Sequence, residues 1–359
     1  MSSEKASGRV ALASAPAGWH ETKPGTWYRG LDASERILYF TEHINPTLTQ
    51  WTITVCVKLP AGINYTSEAD VKAAWISTRA ESPAIACTII NEGRGMQYCI
   101  PTKEELIKWA DETVFIDNSG RNGREMAAST TIPESSALYF FPEIREIAIH
   151  VRHELADGIG LLLLANIFLK NLRTGTNSTD TIGEEIALLP SSIFQSIDNE
   201  GPLPSGMVAD VHHTIDRYSD EHAISLKSRL SEAQNINPVL PQGRVEYQFS
   251  EVESTTLLNS CRKKGITLTT ALWAAQAQAA LEHSGSTAGN LTCFIPINLR
   301  GRSQTAPNGK TRQNNTIILA YTSRPVSTND NFVDWAKDSQ QDLAGWRYGK
   351  HNLQSFQYL

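Results

Sequence analysis

The sequence predicts a mixed fold, α/β or α+β with mixed sheets, arranged in two lobes. Three observations carry this. At 359 residues the chain is longer than one core usually serves. Strand-like and helix-like segments are interspersed without strict βα alternation. The balance of 40% hydrophobic and 19% charged residues is that of a globular protein able to bury a sizeable core.

Taken in order, residues 1–30 are rich in Ser, Ala, Gly and Pro and read as an irregular leader. "DASERILYFTEHI" reads as a helix capped by Asp32 or Ser34. "WTITVCVKL" at 51–59 is β-branched and alternating, a strand. From Ser67 a helix follows, with Asp70 three residues after the cap and Val71, Ala74, Trp75 and Thr78 on one face, stopped by Pro83. "AIACTII" and "MQYCI" form a hairpin around "NEGRG", and "TVFID", "ALYF" and "EIAIHV" add strands. "GLLLLANIFLKNL" is apolar nearly all round, so its helix is expected to be buried against a sheet. The breaker-rich "RTGTNSTDTIG" at 173–183 marks the crossing between lobes. The division is then a leader over 1–30, an N-terminal lobe over 31–180 and a C-terminal lobe over 181–359. In the latter, "RVEYQFS" at 244–250 reads as a strand, "SEVESTTLLNSCRKKG" and "ITLTTALWAAQAQAAL" as helices, "LTCFIPINLRGR" and "TIILAYTSR" as strands, and "NFVDWAKDSQQDLAGW" as an amphipathic helix.

Composition excludes several functions. A net charge of −6 and a pI near 5.9, with no basic stripe, exclude nucleic-acid binding. The longest apolar stretch, "GIGLLLLANIFL", is too short to cross a bilayer. The first residues lack a charged start and apolar run, so no secretory signal is expected. The five cysteines have no close pairing; Cys56, Cys87 and Cys99 lie in apolar runs and read as buried small hydrophobes in a reducing, cytoplasmic setting. "GRNGREM" and "SQTAPNGKT" read as surface loops.

The chemistry-bearing stretch is "HELADGIG", where a strand runs out into a helix. His153 is a general base suited to neutral pH, and Gly158 offers positive φ or close backbone passage. His153 and Asp157 could equally be an i,i+4 pair worth a few tenths of a kcal/mol. "DVHHTID" at 210–216 lacks the spacing of a zinc site, so no metal is expected. There is no G-x-S-x-G elbow and no Walker A motif.

H-x-x-x-D-G after a strand and before an apolar helix resembles the signature of the CoA-dependent acyltransferase superfamily. That group holds plant-type acyltransferases, condensation domains and fungal acetyltransferases of the trichothecene 15-O-acetyltransferase kind. "DASERILYF", "WISTRAESPAI" and "GITLTTALWAAQAQAAL" followed by "FIPINLRGR" resemble further family segments in matching order, over roughly residues 25–345. The resemblance implies chloramphenicol-acetyltransferase-like lobes with a tunnel between them and His153 near its middle. It implies His153 as general base, and Asp157 in an ion pair that fixes the loop, with Arg300 the preferred partner and Arg79 the second choice. It implies acyl-CoA as co-substrate, a small hydroxylated acceptor, no tightly held cofactor, no membrane partner and a monomer. A carrier-protein thioester donor and a non-catalytic homologue are the alternatives. The family's D-F-G-W-G-like segment is absent, so the second lobe is expected to be incomplete.

Overall fold

A computed structural model describes residues 18–44, 52–60, 67–129, 135–175, 182–196, 224, 245–300 and 317–348. "DVHHTID", "SQTAPNGKT" and much of 173–183 lie outside these. The chain divides into two compact units, Met1–Asp198 with Arg300–Thr316, and Asn199–Leu299 with Ile317–Leu359.

The first unit contains two sheets. One has the order β1-β2-β5-β4, from β1 (His20–Lys23), β2 (Thr26–Gly30), β4 (Thr88–Ile90) and β5 (Gly95–Cys99), all antiparallel. The turn between β4 and β5 runs through Asn91, Glu92 and Gly93, all at positive φ. The second sheet has the order β3-β8-β7-β6, from β3 (Thr52–Lys58), β6 (Val114–Ile116), β7 (Ala137–Phe141) and β8 (Glu146–Arg152). β8 is central and antiparallel to both neighbours, while β6 joins β7 in parallel.

Period-two patterning assigns the faces of β8. Ile147, Ile149 and Val151 pack against Val71, Ala74 and Trp75 of α2 (Glu68–Glu81) and Leu161, Leu164, Ala165 and Phe168 of α5 (Gly158–Thr174). Ser67 and Asp70 close a reciprocal capping box at the start of α2. Apolar though it is all round, α5 is buried on one face only; Ile159, Leu162 and Leu163 are exposed.

On the opposite face Ala148 meets Phe141 and Met126 of α4 (Gly123–Ser129). The chain approaches the sheet so closely here that a Cβ on Gly123 would lie 2.7 Å from Cys56 Sγ and 2.8 Å from Ala148 Cβ. The Gly123 N–H donates to the Glu146 carboxylate at 2.7 Å. Gly123→Ala is therefore expected to destabilise the protein by about 1–3 kcal/mol through overpacking, read as a lowered denaturation midpoint.

Several sequence expectations need correction. Residues 20–30 are not an irregular leader but two strands, with buried Thr26 and Arg29. The Arg29 guanidinium forms two bonds to Glu35 of α1 (Ala33–Ile44), at 2.7 and 2.9 Å, with both groups buried. Burial pushes the Glu35 carboxyl up and the Arg29 charge opposes it.

The boundary near residue 180 moves to 198. Residues 184–196 stay with the first unit because Ile186, Leu189, Ile193 and Phe194 are buried there. Polar ties also hold them: Trp19 donates to the Pro190 carbonyl at 2.7 Å, and Asp32 accepts from the Ile193 N–H at 3.0 Å. Arg300 returns to the first unit, although its position in the sequence assigned it to the C-terminal lobe. Of the cysteines, Cys87 is buried and its thiol is pushed up to about 12 by desolvation, but Cys99 is exposed.

The second unit holds β9 (Ala288–Asn298) and β10 (Ile317–Ser327) as an antiparallel pair, with α7 (Glu251–Lys264), α8 (Leu268–Ser284) and α9 (Phe332–Tyr348). Trp273, Ala274 and Ala277 of α8 pack against Trp335 and Ala336 of α9. The indoles of Trp273 and Trp335 meet edge to face at 5.5 Å. Gly265 ends α7 in the left-handed conformation after Arg262, Lys263 and Lys264, as cap chemistry requires. The strand expected at 244–250 is not seen among the described residues: 245–250 belong to no sheet there and are exposed. Alternation gave the right side-chain pattern, but a strand exists only where another backbone completes its hydrogen bonds.

Candidate active site

β8 ends at Arg152, and His153 follows in a turn closed by the Leu155 N–H donating to the Arg152 carbonyl at 3.0 Å. His153 is half-buried, whereas Glu154, Leu155, Ala156 and Asp157 are all buried. The two apolar residues enter different clusters. Leu155 packs with Trp19, Met96 and Tyr98, and Ala156 with the core between α2, α5 and β8. Glu154 takes a salt bridge from Arg152 at 2.9 Å. Every residue after the imidazole in this turn is thus fastened inward.

Asp157 is the N-cap of α5, its Oδ1 accepting from the Gly160 N–H at 2.8 Å. The same oxygen lies 2.9 Å from Nη2 of Arg300, with side-chain exposures of 0% and 10%. One carboxylate therefore caps a helix and holds a buried cation.

The structure brings His153, Asp157, Gly158 and Arg300 together, but not Arg79. Arg79 is buried elsewhere, over the Trp109 ring at 4.8 Å and the Tyr98 ring at 5.5 Å, with Nη2 donating to the Cys99 carbonyl at 3.4 Å. Gly158 is the first residue of α5 and does not need positive φ. A Cβ there would meet only Ile53 Cδ1, at 3.9 Å, so nothing in the chain's own packing demands glycine.

A buried histidine escaped the sequence reading. His150, on the β8 face opposite Ile149, is 1% exposed, and its Nδ1 lies 2.6 Å from Thr54 Oγ1 on β3. Its Nε2 has no hydrogen-bond partner among the described residues. The alternation of "IAIHV" was the available signal: it places His150 on the non-core face, next to a β-branched hydroxyl in β3.

Desolvation pushes the His150 imidazole down to about 4. An unfolded histidine takes its proton near pH 6.5, so across this window the unfolded state holds more protons and stability falls as pH falls. A loss of about 2 kcal/mol between pH 7 and pH 4.5 is expected from this group. Denaturant melts of the protein and of His150→Gln at both values check it: the variant should lose less on acidification.

The 11-residue β9 and β10, the two sheets of the first unit and the position of the histidine turn allow comparison with known proteins. The chain superposes on trichothecene 15-O-acetyltransferase TRI3 from Fusarium sporotrichioides with a TM-score of 0.70, at 16% identity, covering 94% of this chain and 76% of that one. The fold is the chloramphenicol-acetyltransferase-like one that TRI3 shares with condensation domains. The first condensation domain of the calcium-dependent antibiotic synthetase superposes with a TM-score of 0.55, at 13% identity over 89% of this chain and 75% of that one. In sequence, the chain is 23% identical over 346 residues to O-acetyltransferase pigM of Monascus ruber, across 92% of its own length. It spans 66% of that relative. No family model matches. The solved structures bear on architecture, in which the two-lobe expectation agrees with the neighbours' fold. Among the described residues, no helix is long and apolar enough to cross a membrane.

Proposed function

We propose that the protein is an acyltransferase that moves a short acyl group, acetyl in the first instance, from acyl-CoA to a hydroxyl of a secondary metabolite in the cytoplasm. His153 is the general base. Its Nε2, the ring nitrogen left when Nδ1 is buried, takes the hydroxyl proton as the oxygen attacks the thioester carbonyl and the C–O bond forms. The tetrahedral intermediate then collapses, the C–S bond breaks, and the imidazolium returns the proton to the departing thiolate. No covalent enzyme intermediate is required, so holding both substrates at the imidazole supplies much of the rate.

The observation that carries this reading is a half-buried imidazole at the apex of a turn whose next four residues are buried. A histidine serving only to fill the fold would be enclosed with them. Asp157 and Arg300 act on the loop rather than on substrate: they fix the entry into α5. The similarity to fungal O-acetyltransferases supports acyl transfer as the reaction class.

The test is incubation with acetyl-CoA and a panel of alcohols, reading free thiol and product mass. A second arm offers an acylated carrier protein, because the likeness to condensation domains favours that donor as the alternative. Turnover only in the second arm would replace CoA by a carrier thioester. Turnover in neither would leave a non-catalytic homologue as the better account.

A further inference from the structure

The all-antiparallel sheet of the first unit packs one face inward, and alternation sends every second side chain to the other. Met96 and Tyr98 lie on the packed face, where they join Leu155 of the histidine turn. His20, Tyr28 and Gln97 stand opposite one another across β1, β2 and β5 on the outer face. With Thr22, Ile90 and Asn91 they line an open cup of about 340 Å³. Cavities lined by Arg79 and by Trp335 hold about 10 Å³ each, room for one water. The cup falls instead in the size range of small-molecule sites. Its floor is shaped by glycine. Gly30, Gly95 and Ile90 are paired in a row, and the Tyr28 ring leans over Gly95, where a Cβ would sit 2.2 Å from Tyr28 Cε2. The His20 ring meets Tyr28 at 5.3 Å and 68°, making a corner of two rings.

The lining selects the ligand. None of the six residues carries a permanent charge, so a phosphate or carboxylate finds no counter-ion among them. The amides of Gln97 and Asn91 both donate and accept hydrogen bonds, and the Tyr28 phenol does the same. The two rings and Ile90 give these polar groups an apolar wall, against which a ring can lie. We propose that the cup binds an uncharged six-membered ring bearing hydroxyl groups, a sugar or a phenol. Because Leu155 packs on the opposite face of these strands, the site is additional to the one at His153. It does not rest on the acyl-transfer reading.

Saturation-transfer NMR with methyl glucopyranoside and with resorcinol, as separate probes, tests the site and tells the sugar from the phenol. One of them should bind with a dissociation constant of about 1–10 mM, the affinity a single ring can supply. Gln97→Ala and Asn91→Gly each remove one amide. Glycine accepts the φ of 54° at position 91, so the second variant keeps the turn between β4 and β5. Each should weaken binding about 2–10-fold, the value of one hydrogen bond, with an unchanged circular dichroism spectrum. Glucose phosphate and dihydroxybenzoate, the charged counterparts of the probes, should bind more weakly than the neutral forms. Absence of saturation transfer to both neutral probes, binding unaltered by the two substitutions together, or tighter binding of the charged counterparts would each overturn the proposal.

Discussion

Replacing His153 with alanine is expected to lower acyl transfer by about 10²–10⁴-fold while leaving the melting temperature close to that of the parent protein. The imidazole is half-buried, and the four residues that follow it in the turn are buried. Residual turnover in the variant would measure what substrate proximity supplies without a base. The experiment reads thiol release and product mass for parent and variant, beside a thermal melt of each. Parent-level turnover by His153→Ala would refute the general-base assignment. A collapsed melt would instead mean that the ring holds the fold, and His153→Gln would then be needed to separate the two roles.

The second large effect concerns Asp157 and Arg300. Removing one member of a buried ion pair strands the other charge, at a cost of about 3–5 kcal/mol. Loss of an N-cap adds about 1 kcal/mol. Asp157→Ala should incur both penalties, since Oδ1 serves Arg300 and the Gly160 N–H together. Asp157→Asn keeps a capping oxygen but loses the charge, so it should be milder by about the cap term. Arg300→Ala leaves a carboxylate with 0% exposure unpaired and should be as damaging as Asp157→Asn. Denaturant midpoints for the three variants, with the Asp157→Asn/Arg300→Ala double variant closing the cycle, check the assignment. Additive losses would mean that the pair contributes no coupling.

Most helices and strands were legible because their apolar spacing and caps agree. The Ser67–Asp70 box, Pro83 after α2, and Gly265 after α7 all mark ends that the structure places within a residue or two. α3 (Lys103–Thr113) carries an equally clear Thr102–Glu105 capping box, yet its exposed face dilutes the apolar signal in "KEELIKWADET". β1 and β2 are short and lie next to a Ser- and Ala-rich segment, so composition concealed them. The site was legible in part. His153 and Asp157 stand in a recognisable spacing, whereas the return of Arg300 to the first unit depends on where the chain goes in space. Residues 245–250 show the converse limit: alternation describes side chains, while pairing needs a second backbone.

The turn after β8 separates two tasks that many sites combine. Leu155 and Ala156 belong to different hydrophobic clusters, so the placement of the imidazole is inherited from the interior of the unit. Gly158, Ile159 and Leu162, a few residues further on, are exposed and have no such duty. Substitution along the exposed side of α5 is therefore expected to leave the placement of the imidazole unchanged. Changes to the interior would have the opposite consequence: a repacked Trp75 or Phe168 would shift the imidazole through Ala156, with which both are buried.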